Sequence, residues 1–214
     1  MIKRNYQKEM DSLIFGNTQK GNVPTLLLHS CCAPCSSYVI EYLSDYFNIT
    51  VFYYNPNISY ESEYIHRLNE QKRLISQMAT KYPVTVIESD YNSKDFFDVC
   101  KGLENEKEGG KRCEKCFYLR LQNTAKLAKK ENFDFFATTL TISPLKNAEL
   151  INSIGEEIEK QCNVKYLCSD FKKKNGYKRS IELSKQYSLY RQNYCGCIFS
   201  KKESEERLSQ NQKL

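Results

Sequence analysis

At 214 residues and 40% hydrophobic content, the chain has the size of one domain with its own core. No apolar run approaches the ~20 residues of a membrane-spanning helix, and Met1-Ile2-Lys3-Arg4-Asn5-Tyr6 lacks the apolar stretch of a secretory signal, so a membrane role is excluded and a cytoplasmic location expected. The net charge of +6, from 32 Lys and Arg against 26 Asp and Glu, permits a nucleic-acid partner without requiring one.

Residues 1–23 read as an N-terminal extension. Thr25-Leu26-Leu27-Leu28-His29 is a short apolar run, a buried strand. A helix over 36–46 follows Pro34 and carries Val39, Ile40 and Leu43. Residues 49–54, β-branched and aromatic, form a second strand that breaks at Asn55-Pro56-Asn57. A helix over 61–81 places Ile65, Leu68, Ile75 and Met78 on related faces. A third strand over 83–87 and a short helix over 95–99 come next. Residues 102–112, charged and containing Gly109-Gly110, read as a loop. The helix over 113–131 repeats Phe117, Leu121, Ala125 and Ala128 at helical spacing. A fourth strand over 133–139, a helix over 147–160 and a fifth strand over 164–167 follow. Residues 172–179 read as a basic loop, 180–187 as a last helix and 201–214 as a polar, frayed tail. The whole chain, 1–214, is a single domain with its core over 24–200.

Strands alternating with helices imply right-handed crossovers and an α/β fold with a mainly parallel sheet. Ligands of such sheets bind beyond the carboxyl ends of the strands. The segments after strands one, two and four should meet there.

Seven of the ten cysteines fall in three short segments: Cys31-Cys32-Ala33-Pro34-Cys35, Cys113-Glu114-Lys115-Cys116 and Cys195-Gly196-Cys197. In a reducing compartment such clusters argue for metal or redox chemistry rather than structural disulfides. Cys31, Cys32, Cys113 and Cys116 supply the four thiolates of a [4Fe-4S] cluster. Cys32, Cys35, Cys113 and Cys116 equally match a structural zinc site. Cys32-Ala33-Pro34-Cys35, following a strand and opening a helix, also matches a thioredoxin-like pair. Three functions therefore stay open: an iron–sulfur enzyme, a zinc module that binds RNA, and a disulfide reductase. A disulfide between Cys195 and Cys197 would close a small, strained and easily reduced ring, with Gly196 giving the backbone room. Cys100, Cys162 and Cys168 read as small buried hydrophobes. His29, ending a buried strand, reads as a hydrogen-bonded structural residue, and His66 has no assigned role. Lys172-Lys173-Lys174, Lys178 and Arg179 are candidates for phosphate contact or a solvated charged face.

The segments 29–35, Tyr54-Asn55-Pro56-Asn57-Ile58, 102–116, 138–147 and 189–200 together resemble the cobalamin-independent epoxyqueuosine reductases, the QueH family. The similarity runs in order from about Pro24 to Ser200. The resemblance implies a Rossmann-like fold akin to the ATP-pyrophosphatase (HUP) group. The implied activity is reductive removal of the epoxide oxygen of epoxyqueuosine at the tRNA wobble position. It favours iron–sulfur over zinc, with Cys31, Cys32, Cys113 and Cys116 as [4Fe-4S] ligands and Cys195 and Cys197 as the redox-active pair. It further implies an additional iron, which Cys35 is placed to help hold, and an external electron donor of the ferredoxin or flavodoxin kind. Lys146 and Arg191 are candidates for substrate contact on position alone.

Overall fold

The computed structural model describes residues 4–211. Helix α1 (Tyr6–Gln19) precedes strand β1 (Thr25–His29), and α2 (Ala33–Leu43) leads to β2 (Asn48–Tyr53). Helix α3 (Glu61–Gln77), β3 (Thr85–Glu88), α4 (Lys94–Cys100) and α5 (Lys111–Lys130) follow. Then come β4 (Phe135–Thr138), a 3₁₀ turn (Thr139–Ile142), α6 (Ala148–Cys162), β5 (Lys165–Tyr166), α7 (Gly176–Gln186) and α8 (Ile198–Asn211). The five strands are all parallel, in the order β3-β2-β1-β4-β5. This is the α/β architecture expected from the alternating pattern, and its strand order is that of a Rossmann-like sheet.

Alternation along β1 sorts its side chains between two cores. Leu26 and Leu28 join Val39, Ile40, Leu43 and Leu183 on the face covered by α1, α2 and α7. Leu27 joins Leu121, Ala125, Ile151 and Ile154 on the face covered by α5 and α6. From β1 the chain first builds outward through β2 and β3, then returns to lay β4 along the other edge of β1. The topological switch point therefore lies between β1 and β4, where a crevice opens at the strand ends.

Element ends shift by a few residues, as where α3 stops at Gln77 rather than residue 81, and three segments differ from the sequence reading. The N-terminal extension forms α1, whose Met10 and Ile14 enter the core. The basic loop is shorter than expected, because α7 begins at Gly176, where a Cβ would meet the Phe171 carbonyl and the Tyr38 ring. The polar tail is helical through Asn211. It is held by polar contacts: Glu203 accepts from the Glu108 amide at 3.0 Å and pairs with Arg112 at 3.2 Å.

Candidate metal and redox site

Cys31 and Cys32 leave the end of β1 and open α2, with Pro34 in its first turn. Helix amides and the macrodipole favour thiolate at such a position. The sulfurs of Cys31, Cys32 and Cys35 all lie within 4.8 Å of one another, Cys31 and Cys32 at 3.8 Å. Cys31 is held well below the ordinary thiol range because Cys32 and Cys35 donate to it. Cys32 is pushed up to about 12 chiefly by Cys31, and Cys35 is raised for the same reason.

Cys113 and Cys116 sit in the opening turns of the 20-residue α5. The Gly109 amide donates to the Cys113 sulfur at 3.2 Å. Burial raises both thiols, Cys116 to about 12. Among the described residues, no group containing Cys113 or Cys116 closes to the spacing of the Cys31–Cys32–Cys35 trio.

Arg120 follows Cys113 and Cys116 on the same helical face, seven and four residues on. It is wholly buried. Its Nη1 reaches the Cys116 sulfur at 3.9 Å, Nη2 donates to Asn55 Oδ1 at 2.7 Å and Nε donates to His29 Nε2 at 3.2 Å. Burial opposes its charge, yet Cys116, Cys31 and Cys195 together outweigh it and raise the pKa. Sulfurs from all three cysteine segments thus act on one guanidinium. His29 Nδ1 lies 2.9 Å from Thr138 Oγ1, bridging β1 and β4, and its Nε2 also lies 3.2 Å from the Tyr54 carbonyl. Burial, and then Arg120, depress the His29 pKa to about 3, so the ring is neutral.

A cavity of about 290 Å³ opens beside these thiols, lined by Cys31, Cys35, Lys146, Tyr177, Arg191 and Cys195 among others. Among the described residues no carboxylate pairs with Lys146. Burial works against its charge, but Cys195, Cys31 and Cys35 prevail and raise its pKa. Arg191 is anchored by Nη1 donating to Ser184 Oγ at 2.9 Å. The sequence candidates Lys146 and Arg191 thus share one wall with three of the candidate thiols.

Cys195 faces the cavity, whereas Cys197 is buried with Phe96, Cys100 and Cys116. Both are free thiols. Gly196 between them has φ +132°, and its carbonyl accepts from the Ser59 amide at 3.2 Å. The strap leading to this couplet lies on one polar face of α3. Arg73 donates to the Tyr187 and Ser188 carbonyls, Glu70 accepts from the Tyr190 amide, and Arg67 donates to the Cys195 carbonyl at 3.1 Å.

The remaining candidates lie elsewhere. Cys100 is buried, and Cys162 and Cys168 are half-buried. His66 packs its ring on Tyr190. Three of the five basic candidates are engaged within the fold: Lys172 with Asp170, Lys174 with Asp11, and Arg179 with Glu41 and Glu182. Sequence reasoning missed Arg120 and Arg67. Arg120 carried a signal, because it falls three residues after Phe117 and one before Leu121, on the apolar stripe of its helix.

Over residues 26–203 the sequence matches the family described as "Epoxyqueuosine reductase QueH". A Staphylococcus epidermidis protein named Epoxyqueuosine reductase QueH is 44% identical over 202 residues, 92% of this chain and 85% of the relative. A protein of the same name from Streptococcus pyogenes serotype M1 is 43% identical, over 94% of this chain and 79% of the relative. One from Thermotoga maritima is 36% identical, over 86% of this chain and 93% of the relative.

Proposed function

The chain belongs to the epoxyqueuosine reductase QueH family, and on that premise we propose that it is an oxidoreductase that removes the epoxide oxygen of epoxyqueuosine at the wobble position of tRNA, giving queuosine. The observation that carries this reading is the convergence of three cysteine segments beside a cavity at the switch point: Cys113 packs against the apolar cluster holding Cys31 and Cys32, and Cys116 packs with Cys197. In our reading Cys31, Cys32, Cys113 and Cys116 hold a [4Fe-4S] cluster, and Cys35 helps hold an additional iron. The donor set suits such a group. Thiolates are the ligands of iron–sulfur clusters, and two cations without carboxylate partners among the described residues, Arg120 and Lys146, balance the negative charge of a metal–thiolate assembly. When bound, the cluster supplies one-electron transfer and a Lewis-acidic iron.

The protein's own side chains account for the rest of the chemistry. Converting the oxirane to the alkene consumes two electrons and two protons and releases water. Oxidation of Cys195 and Cys197 to a disulfide yields two electrons and two protons, so one dithiol balances one turnover. An external donor of the ferredoxin or flavodoxin kind returns the disulfide to the dithiol. Lys146, on the cavity wall, serves as a fixed cation that hydrogen-bonds developing negative charge on oxygen. Arg191 and Tyr177 line the same cavity, and in our reading they contact the phosphate and base of the nucleotide.

One observation favours a second reading. A tetrahedral zinc with Zn–S of ~2.3 Å needs sulfurs ~3.8 Å apart, and Cys31 and Cys32 have that spacing. Anaerobic purification decides between the two. The reductase reading expects brown protein with several irons and sulfides per chain, and conversion of epoxyqueuosine tRNA to queuosine tRNA under reducing conditions. Colourless protein with one zinc and no conversion would overturn it.

A further inference from the structure

Arg120 poses a problem that the fold itself does not answer. It is one of the largest wholly buried side chains, yet its hydrogen-bond partners are an amide oxygen, a neutral imidazole and a thiol. Among the described residues no carboxylate lies within ion-pair distance of it. Burying an unbalanced guanidinium is costly, and removing its counter-charge leaves the cost in full. If shape and hydrogen bonding alone were needed here, a neutral amide would serve. Among the described residues the negative charge within its reach is on sulfur: the Cys116 sulfur lies 3.9 Å from Nη1, and Cys31 and Cys195 act on it at longer range.

We propose that Arg120 is a positioning residue for the metal site: a fixed positive charge, aimed from the floor of the switch point, against which the thiolate-bound group is held and which raises that group's reduction potential. The inference rests on the functional reading above. Three neutral acceptors fix the planar fork, so that Nη1 is presented to Cys116. His29 is itself fixed by Thr138, so the guanidinium is registered to the ends of β1 and β4 at once. A positive charge at that place favours the more negative, reduced form of an iron–sulfur group, and net charge and hydrogen bonds to sulfur are among the factors that set cluster potentials. Lys146 acts on Cys31 and Cys195 from the cavity wall. Arg120 is sealed from the cavity and acts whether or not substrate is bound.

The test compares wild-type protein with Arg120→Gln and Arg120→Lys, all purified without air. Iron and sulfide per chain and the midpoint potential are measured by spectroelectrochemical titration in the absence of tRNA. Poised at the wild-type midpoint, Arg120→Gln should show an oxidised-to-reduced ratio at least tenfold that of wild type, a shift of about 59 mV for one electron, while Arg120→Lys should shift less. A folded Arg120→Gln that fails to load iron while Arg120→Lys loads it also supports the proposal. Full iron with an unmoved potential in Arg120→Gln overturns it, as does equal loss of iron in both folded variants. Should Arg120→Gln not fold, Asn55→Asp sets a carboxylate at the 2.7 Å contact and cancels the charge with Arg120 in place. The same negative shift is then expected, and its absence overturns the proposal. Wild-type protein devoid of iron would overturn the functional reading as well, which separates that failure from this one.

Discussion

Cys195 and Cys197 are two residues apart and chemically unlike. The first borders the cavity with Lys146, and the second lies among Phe96, Cys100 and Cys116, where burial raises its pKa. Replacing either should stop the electron pair from being stored. We expect Cys195→Ala to keep the brown chromophore and lose multiple turnover, while Cys113→Ala loses the chromophore itself; absorbance and turnover counts distinguish the two. A colourless Cys195→Ala would reassign that thiol as a metal ligand. His29 offers a different measurement. Its pKa is depressed to about 3 in the folded chain, against about 6.5 unfolded. The unfolded state therefore binds the extra proton, so stability is lost as pH falls from about 6.5 toward 3, by up to about 1.4 kcal/mol per pH unit. Urea midpoints across that range should fall less steeply in His29→Gln than in wild type; parallel slopes would contradict a neutral buried imidazole.

Among the elements, α5 and α3 carry the site. On α5 the sequence disclosed the cysteines and the apolar stripe, and with them the helix and its buried face. It concealed Arg120 because a basic residue on that stripe can only be interpreted once its partners arrive from Asn55 and His29, distant in the chain. The alternation of strands and helices was legible for a similar reason: each apolar run is local. The grip of α3 on the strap was not, since Arg67, Glu70 and Arg73 bind main-chain groups more than a hundred residues away. The helical tail escaped notice because its anchors come from distant parts of the chain: Glu203 pairs with Arg112, and Phe199 at the start of α8 packs against Phe96. Two variants probe the strap. Arg67→Met should raise hydrogen exchange over residues 187–197 while leaving the sheet protected. In Gly196→Ala the new Cβ would lie 3.0 Å from Ile58 at φ +132°, costing about 1–3 kcal/mol and slowing disulfide closure. Unaltered exchange in the first variant would mean that the strap is held by something other than Arg67.

For the molecule as a whole, charge is distributed differently from its sequence order. The run Lys172-Lys173-Lys174 looks like a phosphate-binding stretch, but Lys172 and Lys174 are spent on Asp170 and Asp11. Salt-sensitive tRNA binding should therefore come from the cavity mouth. We expect Arg191→Gln to reduce the slope of log affinity against log salt by about one, and Lys174→Gln to leave it unchanged. A reversed outcome would move the phosphate contacts to the basic segment.

The strap that delivers Cys195 and Cys197 is addressed by its backbone: α3 and Ser59 recognise carbonyls and amides at Tyr187, Ser188, Tyr190, Cys195 and Gly196. Such recognition depends on how many peptide units separate the contacts, while side chains such as buried Leu189 and cavity-lining Arg191 add their own constraints. A single inserted or deleted residue between 187 and 194 would therefore put both thiols out of step with the cavity and silence the enzyme without unfolding it.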